Sequence, residues 1–496
     1  MNKNSIRTAG ARAIANNTTW VHLQFLGLSG NSIESEGAIE LSKNTTWTEL
    51  QTLELVENLI QNAGLAALSK NNTWKNLHKL DLQKNEIDAN GAAELSKNAS
   101  WVNLQSLNLN GNKIQAEGAA MLAKNTTWIH LQSLNLSGNS IGSLGLTKLS
   151  QNTSWSNLQV LELQSNSIDS QGVEELCKNT SWKNLRTLDL KSNFIGNEGA
   201  EMLSKNTTWT HLEALMLGNN IILEKGAEEL AKNTLWIGLH TLDLQLNQIG
   251  DAGLEELSKN TTWTNLQILN LKSNTVGVKG VKALSSNLAW VNLRDLNLGS
   301  NKLGFEGTTE LSKNDTWTKL TSLNLHNNSL DKKAAAELSR NESWTNLEAL
   351  NLSWNRLGGK GVEALSRNSS WKNLKSLMLH ANSISPRGAA GLARNMIWTN
   401  LQEISLGLNN IGNEGALELS KNTSWTNLKE LSLQSNSICE DGARELGKNT
   451  SWINLQMLLL RSSQISNETA EKLTNNSYWP NLKKLEHGRA MIVNLF

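Results

Sequence analysis

The chain has 496 residues, with 46 basic against 45 acidic side chains and a formal net charge of +1, so no net field draws it to nucleic acid or to an anionic membrane. Its two cysteines, Cys177 and Cys439, lack the paired spacing of a disulfide framework or a zinc site and suit a reducing compartment. The opening MNKNSIRTAG holds no apolar signal segment, and no stretch approaches the length of a membrane span. The expected location is therefore cytoplasmic, with secretion into a host cell open by a route that needs no signal peptide.

From Trp20 and Trp47 through Trp452 and Trp479 a tryptophan recurs every 27 residues, without insertion or deletion. A fixed short period signals a solenoid, whose units cannot bury their apolar faces alone and stack on their neighbours. Such a core grows in one dimension, so this length need not divide into separate globular domains. The expected organisation is an N-terminal half repeat over residues 1–19, where Asn4, Ile6, Gly10 and Ala11 are already in phase. Seventeen repeats follow over 20–478, and a C-terminal partial repeat over 479–496. The pattern decays toward that end: Ser463 and Ala490 replace a recurrent Asn, Thr469 a recurrent Gly, and His487 a leucine, which reads as a cap.

Within one unit, positions are counted from its tryptophan. After Trp128, leucines stand at +3, +6 and +8 (Leu131, Leu134, Leu136), and the last two alternate with Ser133, Asn135 and Ser137. That is the period of a short half-buried strand. Asn139 follows at +11, Ile141 at +13 and Gly145 at +17, and Leu146 and Leu149 at +18 and +21 have helical spacing. Ser, Asn or Asp at +15 (Ser35, Asn62, Ser170, Asn197, Asp251, Asn413) predicts the helix N-cap, with Pro386 in the same region. Asn at +24 (Asn44, Asn125, Asn206) predicts a left-handed helix C-terminus. Each unit is thus a strand, a turn, a short helix and a return loop. The tryptophan, three residues before a leucine, is read as a core column and not as a ladder for stacking ligands.

The pattern LxxLxLxxNxIxxxGAxxL resembles the leucine-rich repeat over residues 1 to about 492. Its GAxxL helix resembles the ribonuclease-inhibitor-like class and the GALA repeats of bacterial effectors; the tryptophan departs from both. The resemblance implies an α/β solenoid, or horseshoe, with a parallel sheet on the concave face and short helices on the convex face. It implies that the Asn column (Asn31, Asn58, Asn85 through Asn382, Asn409, Asn436) bonds backbone groups of adjacent turns. It further implies a non-enzymatic scaffold that binds a protein partner on the concave face, with a bacterial effector acting in a host cell as one setting. The F-box of GALA effectors finds no room in residues 1–19 and is not carried over.

On the concave face, +5, +7 and +9 point outward, with +10 at the edge. Trp354, at +10, is the one tryptophan outside the periodic series. His326, Ser353 and His380 occupy +9 around it, Asn327, Asn351 and Met378 lie nearby, and Leu246 and Leu408 share its column. Because binding hot spots favour Trp, the candidate partner site is Trp354, His326, Asn327, Asn351, Ser353, Met378, His380 and Leu408. A shared metal on His326 and His380 is rejected, since two strands put them about 9.6 Å apart. No cofactor, metal, nucleic acid or membrane ligand is expected, and the chain is expected to be a monomer.

Two other readings stand beside this one. The chain could be a structural or self-associating array without a dedicated ligand. It could also be a hydrolase using Ser140, since Gly138-Asn139-Ser140-Ile141-Gly142 spells G-x-S-x-G, though no sibling repeat supplies an obvious base. The Asn-x-Ser/Thr strings at Asn17, Asn44, Asn125, Asn179, Asn260 and Asn422 are read as by-products of one duplicated turn. Lysine or arginine at +23 with Glu at +20 (Lys43 with Glu40, Lys97 with Glu94, Arg340 with Glu337) is read as a solvated outer face of helical ion pairs.

Overall fold

The computed structural model describes residues 1–461, 463, 465–488 and 490–493. Two units divide the chain, Met1–Asn247 and Gln248–Phe496. In the first, nine strands from Phe25–Gly27 to Thr241–Asp243 alternate with helices. In the second, nine more run from Ile268–Asn270 to Lys484–Gly488, and a further strand, Ala490–Val493, lies antiparallel on the last. All other pairings within each unit are parallel and keep the period as their register, so Leu107 faces Leu134 and Leu134 faces Leu161. The fold is an α/β leucine-rich-repeat solenoid.

Most strands are only three residues long, because a single inward leucine carries each one. Leu134 is 1 % exposed while Ser133 and Asn135 are half-buried. The helices, of 7 to 9 residues, are too short to be stable alone and depend on their neighbours. The +17 glycine permits that packing. A Cβ on Gly145 would lie 2.4 Å from Ile141 Cγ2 and 3.0 Å from the Ala116 backbone of the preceding helix.

The tryptophans form a continuous buried column within each unit. Trp128 and Trp155 stack at 6.4 Å between ring centroids and 18°, and Trp371 and Trp398 at 6.5 Å and 18°. Of the tryptophans in the 27-residue series, none from Trp47 to Trp479 is more than 1 % exposed. The +11 asparagines are buried as well: Asn139 Nδ2 donates to Leu109 O at 2.9 Å in the preceding unit and to Leu136 O at 3.0 Å in its own. Its Oδ1 accepts from Ile114 N at 3.3 Å. Polar backbone that parallel stacking would otherwise strand in the core is thereby satisfied.

Two expectations about the helix ends are corrected. The +15 residues do not cap their own helices, which begin at or before them; instead several cap the next one. Asn197 Oδ1 accepts from Leu223 N at 3.1 Å and Gly226 N at 2.8 Å, and Asp251 Oδ1 accepts from Gly277 N and Gly280 N. Asn62 and Asn413 accept from Asp88 N and Cys439 N in the same way. Where a helix carries its own side-chain cap the residue is at +14, as in Asp88, Asp169 and Asp331.

The +24 asparagines are not left-handed, for none of Asn44, Asn125 or Asn206 has a positive φ. They form a second ladder: Asn125 Nδ2 donates to Ser96 O and Asn98 O, both at 3.0 Å, while its Oδ1 accepts from Thr127 N and Trp128 N. That amide therefore fixes the backbone of the core tryptophan. It is also tied up and buried, which agrees with reading the Asn-x-Ser/Thr strings as a repeated turn. A third, exposed ladder at +2 was not anticipated: Asn157 Nδ2 donates to Ile129 O at 2.8 Å and Asn373 Nδ2 to Thr345 O at 3.0 Å. The outer ion pairs form as expected, with Lys97 Nζ 2.6 Å from Glu94 and Arg340 Nη1 2.6 Å from Glu337.

Candidate functional site

Where the chain leaves each strand, the +10 residue takes a positive φ, in every repeat from Gly30 (φ 67°) to Ser435 (φ 54°). Glycine adopts that conformation freely and Ser or Asn at small cost, whereas a bulky side chain there is strained by about 1–2 kcal/mol. Trp354 (φ 58°), Leu408 (φ 51°) and Leu246 (φ 59°) nevertheless occupy it. Burial does not compensate: Trp354 is 55 % and Leu408 46 % exposed.

Trp354 N donates to His380 O at 2.7 Å, which holds the two residues on adjacent strands. Their rings meet at 5.7 Å between centroids, tilted by 54°. On its other side His380 lies against Gly407, where an added Cβ would come within 2.8 Å of His380 Nδ1. The imidazole is thus wedged between an indole and a bare backbone. Met378 is half-buried and pairs in register with Asn351 on one side and Ser405 on the other. Asn351 Oδ1 accepts from Ser353 N at 3.0 Å, and Ser353 O accepts from Asn327 N at 2.9 Å. His326 Nε2 is 3.2 Å from Ser300 Oγ. Burial lowers the pKa of both histidines, and the charge of Lys272 lowers that of His326 further. The neutral form of both rings is thereby favoured. This stretch of the sheet presents one indole, two imidazoles, aliphatic groups and amides, with Lys272 near enough to act on His326 and Glu403 bonded to Ser376 of the Met378 strand.

Trp354 and His380 are thus in direct contact, Asn351 and Met378 are register partners, and Asn327 and Ser353 are bonded. Leu408 lies two repeats beyond Trp354 in the same column, and His326 is a repeat before it. Among the described residues no three His, Cys, Asp or Glu side chains are grouped to hold a metal ion.

A family model described as Leucine Rich repeat matches ten segments of the chain, at residues 21–42, 75–96, 102–123, 129–150, 156–177, 183–204, 239–258, 264–285, 345–366 and 399–420. The chain is a leucine-rich repeat protein. No curated relative matches it. Among solved structures it is similar to a leucine-rich repeat protein of Leptospira interrogans, at 23 % identity over 96 % of this chain and 97 % of that one, with a TM-score of 0.45. It is also similar to an internalin of Listeria monocytogenes, at 21 % identity over 76 % and 89 % of the two chains, TM-score 0.42. A plant peptide hormone receptor in complex with its peptide matches at 19 % identity over 94 % and 90 %, again with a TM-score of 0.42. Proteins with this repeat commonly serve as interaction scaffolds.

In this leucine-rich repeat protein the G-x-S-x-G string falls on repeat machinery. Asn139 is the ladder residue, Ile141 is fully buried, and Ser140 (φ 55°) lines a shallow outer hollow with Gln115, Glu117, Leu144 and Lys148. No histidine lines that hollow, and Ser140 Oγ has no hydrogen-bonded base among the described residues. No described helix is long and apolar enough to cross a membrane.

The sequence reading missed a second apolar group, in the first unit. Phe194 (58 % exposed) and Ile221 (52 %) stand at +12 of successive repeats, and Leu223 and Leu246 in the following turns are exposed as well. Ile221 is β-branched and left-handed (φ 59°), an uncommon combination. A signal existed: +12 is serine at Ser32, Ser140, Ser167, Ser329, Ser383 and Ser437, so Phe and Ile break the column.

Proposed function

We propose that this leucine-rich repeat protein is a non-enzymatic scaffold that docks a protein partner on the solvent-facing side of its sheet, with Trp354 as the anchor. One observation carries the reading: a bulky indole, more than half exposed, sits at a backbone position that disfavours it. Strain of that kind persists where something other than folding retains it. Trp354, His380, Met378 and Leu408 supply a desolvatable centre, and Asn327, Asn351, Ser353 and His326 supply hydrogen-bonding groups around it, as in hot spots ringed by polar contacts. The partner this chemistry fits presents an apolar or aromatic side chain without a strong charge. A bacterial effector acting in a host cell is the setting we propose, on the resemblance of the GAxxL helices to GALA repeats and on the abundance of Asn, Lys and Ile in near-identical units.

The test is a quantitative affinity capture comparing the wild type with Trp354→Ala. Partners that dock on the patch are expected to be depleted by the substitution, and the remaining background retained. Equal recovery of the same proteins by both would sink the reading. So would selective loss on substituting residues of the helix side.

A further inference from the structure

Trp354 is held from one side. Its amide donates to His380 O at 2.7 Å, its indole meets the His380 ring at 5.7 Å, and more than half of the residue remains exposed. An exposed side chain on a left-handed turn keeps one rotamer only if a neighbour excludes the others. His380 can exclude them because it has nowhere to retreat. Behind it stands Gly407, where an added Cβ would lie 2.8 Å from His380 Nδ1 and 3.2 Å from Cε1. The backbone does not itself call for glycine at that point, since Gly407 has no positive φ and the same column holds Ser353 and Gln434. The glycine makes room for the imidazole, and the imidazole abuts the indole.

Packing alone holds this ring. Burial lowers its pKa, and among the described residues neither a side-chain hydrogen bond nor a charge acts on it. The charged groups of the three strands around it stand at the strand starts: Lys375 pairs with Glu348 at 2.8 Å, and Glu403 accepts from Ser376 Oγ at 3.2 Å. At the level of His380 the adjoining strands present Ser353, Trp354, Gly407 and Leu408, and its own turn presents Ala381, none of them ionisable. Arg356, two residues beyond Trp354, leaves the ring unaffected. His326, the other histidine of the column, is two strands away, lies over Gly299 and feels Lys272 instead. Water is therefore what stabilises an imidazolium at His380.

We propose that His380 is the positioning residue for the Trp354 indole, and that docking on the indole requires the imidazole to be neutral. With Trp354 as the anchor, on which this rests, a partner that covers the indole also covers the ring in contact with it. Docking then removes the water on which the charged form depends, and no carboxylate replaces it. Docking and protonation of His380 therefore oppose each other. Because the docked ring is buried further, its pKa falls below that of the free protein. Affinity is full above the free value and is lost as pH falls through it, by at most about tenfold per pH unit for one proton. Acidification releases the partner while the fold stays intact.

Fluorine NMR on the full chain, labelled with fluorotryptophan, tests the positioning without a partner. The Trp354 signal, identified by its loss in Trp354→Phe, is expected to shift between about pH 7.5 and about pH 5 along a one-proton curve centred below the usual histidine value. His380→Gln is expected to flatten that curve and His326→Gln to leave it. Gly407→Ala is expected to displace the Trp354 signal already at neutral pH, while the buried tryptophans keep theirs. A Trp354 signal that ignores pH, or titrates unchanged in His380→Gln, overturns the proposal. Affinity capture tests the coupling. Proteins retained by the wild type but not by Trp354→Ala at neutral pH are expected to fall severalfold at about pH 5, and to be held there by His380→Gln. Undiminished or tighter capture by the wild type at that pH overturns the coupling. Equal capture by the wild type and Trp354→Ala at neutral pH removes the anchor, and the coupling with it; the NMR titration then decides the positioning alone.

Discussion

Trp354 and Trp371 belong to neighbouring repeats and face opposite demands. Trp371 is fully buried, stacks on Trp398, and has its backbone amide held by Asn368 Oδ1 at 3.0 Å. Its indole Nε1 has no hydrogen-bond acceptor, so the core uses this residue for volume and stacking and not for its polar handle. Trp354 is exposed, touches one imidazole, and sits in a left-handed turn that smaller residues occupy elsewhere. One tryptophan is required by the fold, and the other is tolerated despite it. Visibility in the sequence therefore does not distinguish the two, and under the proposed function it ranks them in the wrong order.

That contrast can be broken by measurement. Trp371→Ala should cost about 3–5 kcal/mol by chemical denaturation, through lost burial and the cavity left between Trp344 and Trp398. Trp371→Phe should cost markedly less, because no indole hydrogen bond is given up. If Trp371→Ala costs no more than Trp354→Ala, the distinction between the two positions fails. Asn382→Ala should come next, at about 1–3 kcal/mol, because Asn382 Nδ2 bonds Leu352 O at 2.8 Å in a fully buried setting and its loss strands that carbonyl.

Trp354→Gly should have the opposite sign. Relief of the left-handed strain is expected to raise stability by about 1 kcal/mol while partner capture is lost. A destabilised Trp354→Gly would mean that the indole helps hold the fold after all.

The smallest effect is expected at the end of the pattern. Glu440 accepts from Ser466 N, Ser466 Oγ and the Thr469 hydroxyl, with Arg444 3.1 Å away, and the Thr469 bond leads the set that holds its pKa down to about 2. Because the folded value lies below the unfolded one, its contribution is complete above the ordinary carboxylate range and is lost as pH falls through about 2. The protection of the Asn467–Thr474 helix amides, measured against the unfolded exchange rate at each pH, should therefore fall on acidification in the wild type. Glu440→Gln should be less protected at neutral pH and its protection flatter with pH; an identical pH profile would remove the carboxylate from this role.

Much of the fold can be read in one dimension. The period, the Leu134–Leu136 alternation and the burial of the tryptophans follow from spacing and residue type, and the Asn139 ladder from the resemblance to the leucine-rich repeat. The roles of Asn197 and Asn125 do not, because each depends on a partner in another unit: a helix start in the next repeat, or carbonyls of the preceding one. At the candidate site Trp354 is legible as an outlier and His380 as its neighbour by register. The wedge against Gly407 and the positive φ are not, since serine, glutamate and alanine take the same turn elsewhere without marking it. The Phe194–Ile221 group went unread because +12 is not one of the sheet columns.

By itself the sequence determined the repeat, its strand and helix, and the inward-facing residues, because periodicity maps directly onto which side of a regular element a residue occupies. Only the tertiary structure decided which amides cross between units. Those depend on what lies 27 residues away, as the amide of Asn125 shows by bonding carbonyls of the repeat before it.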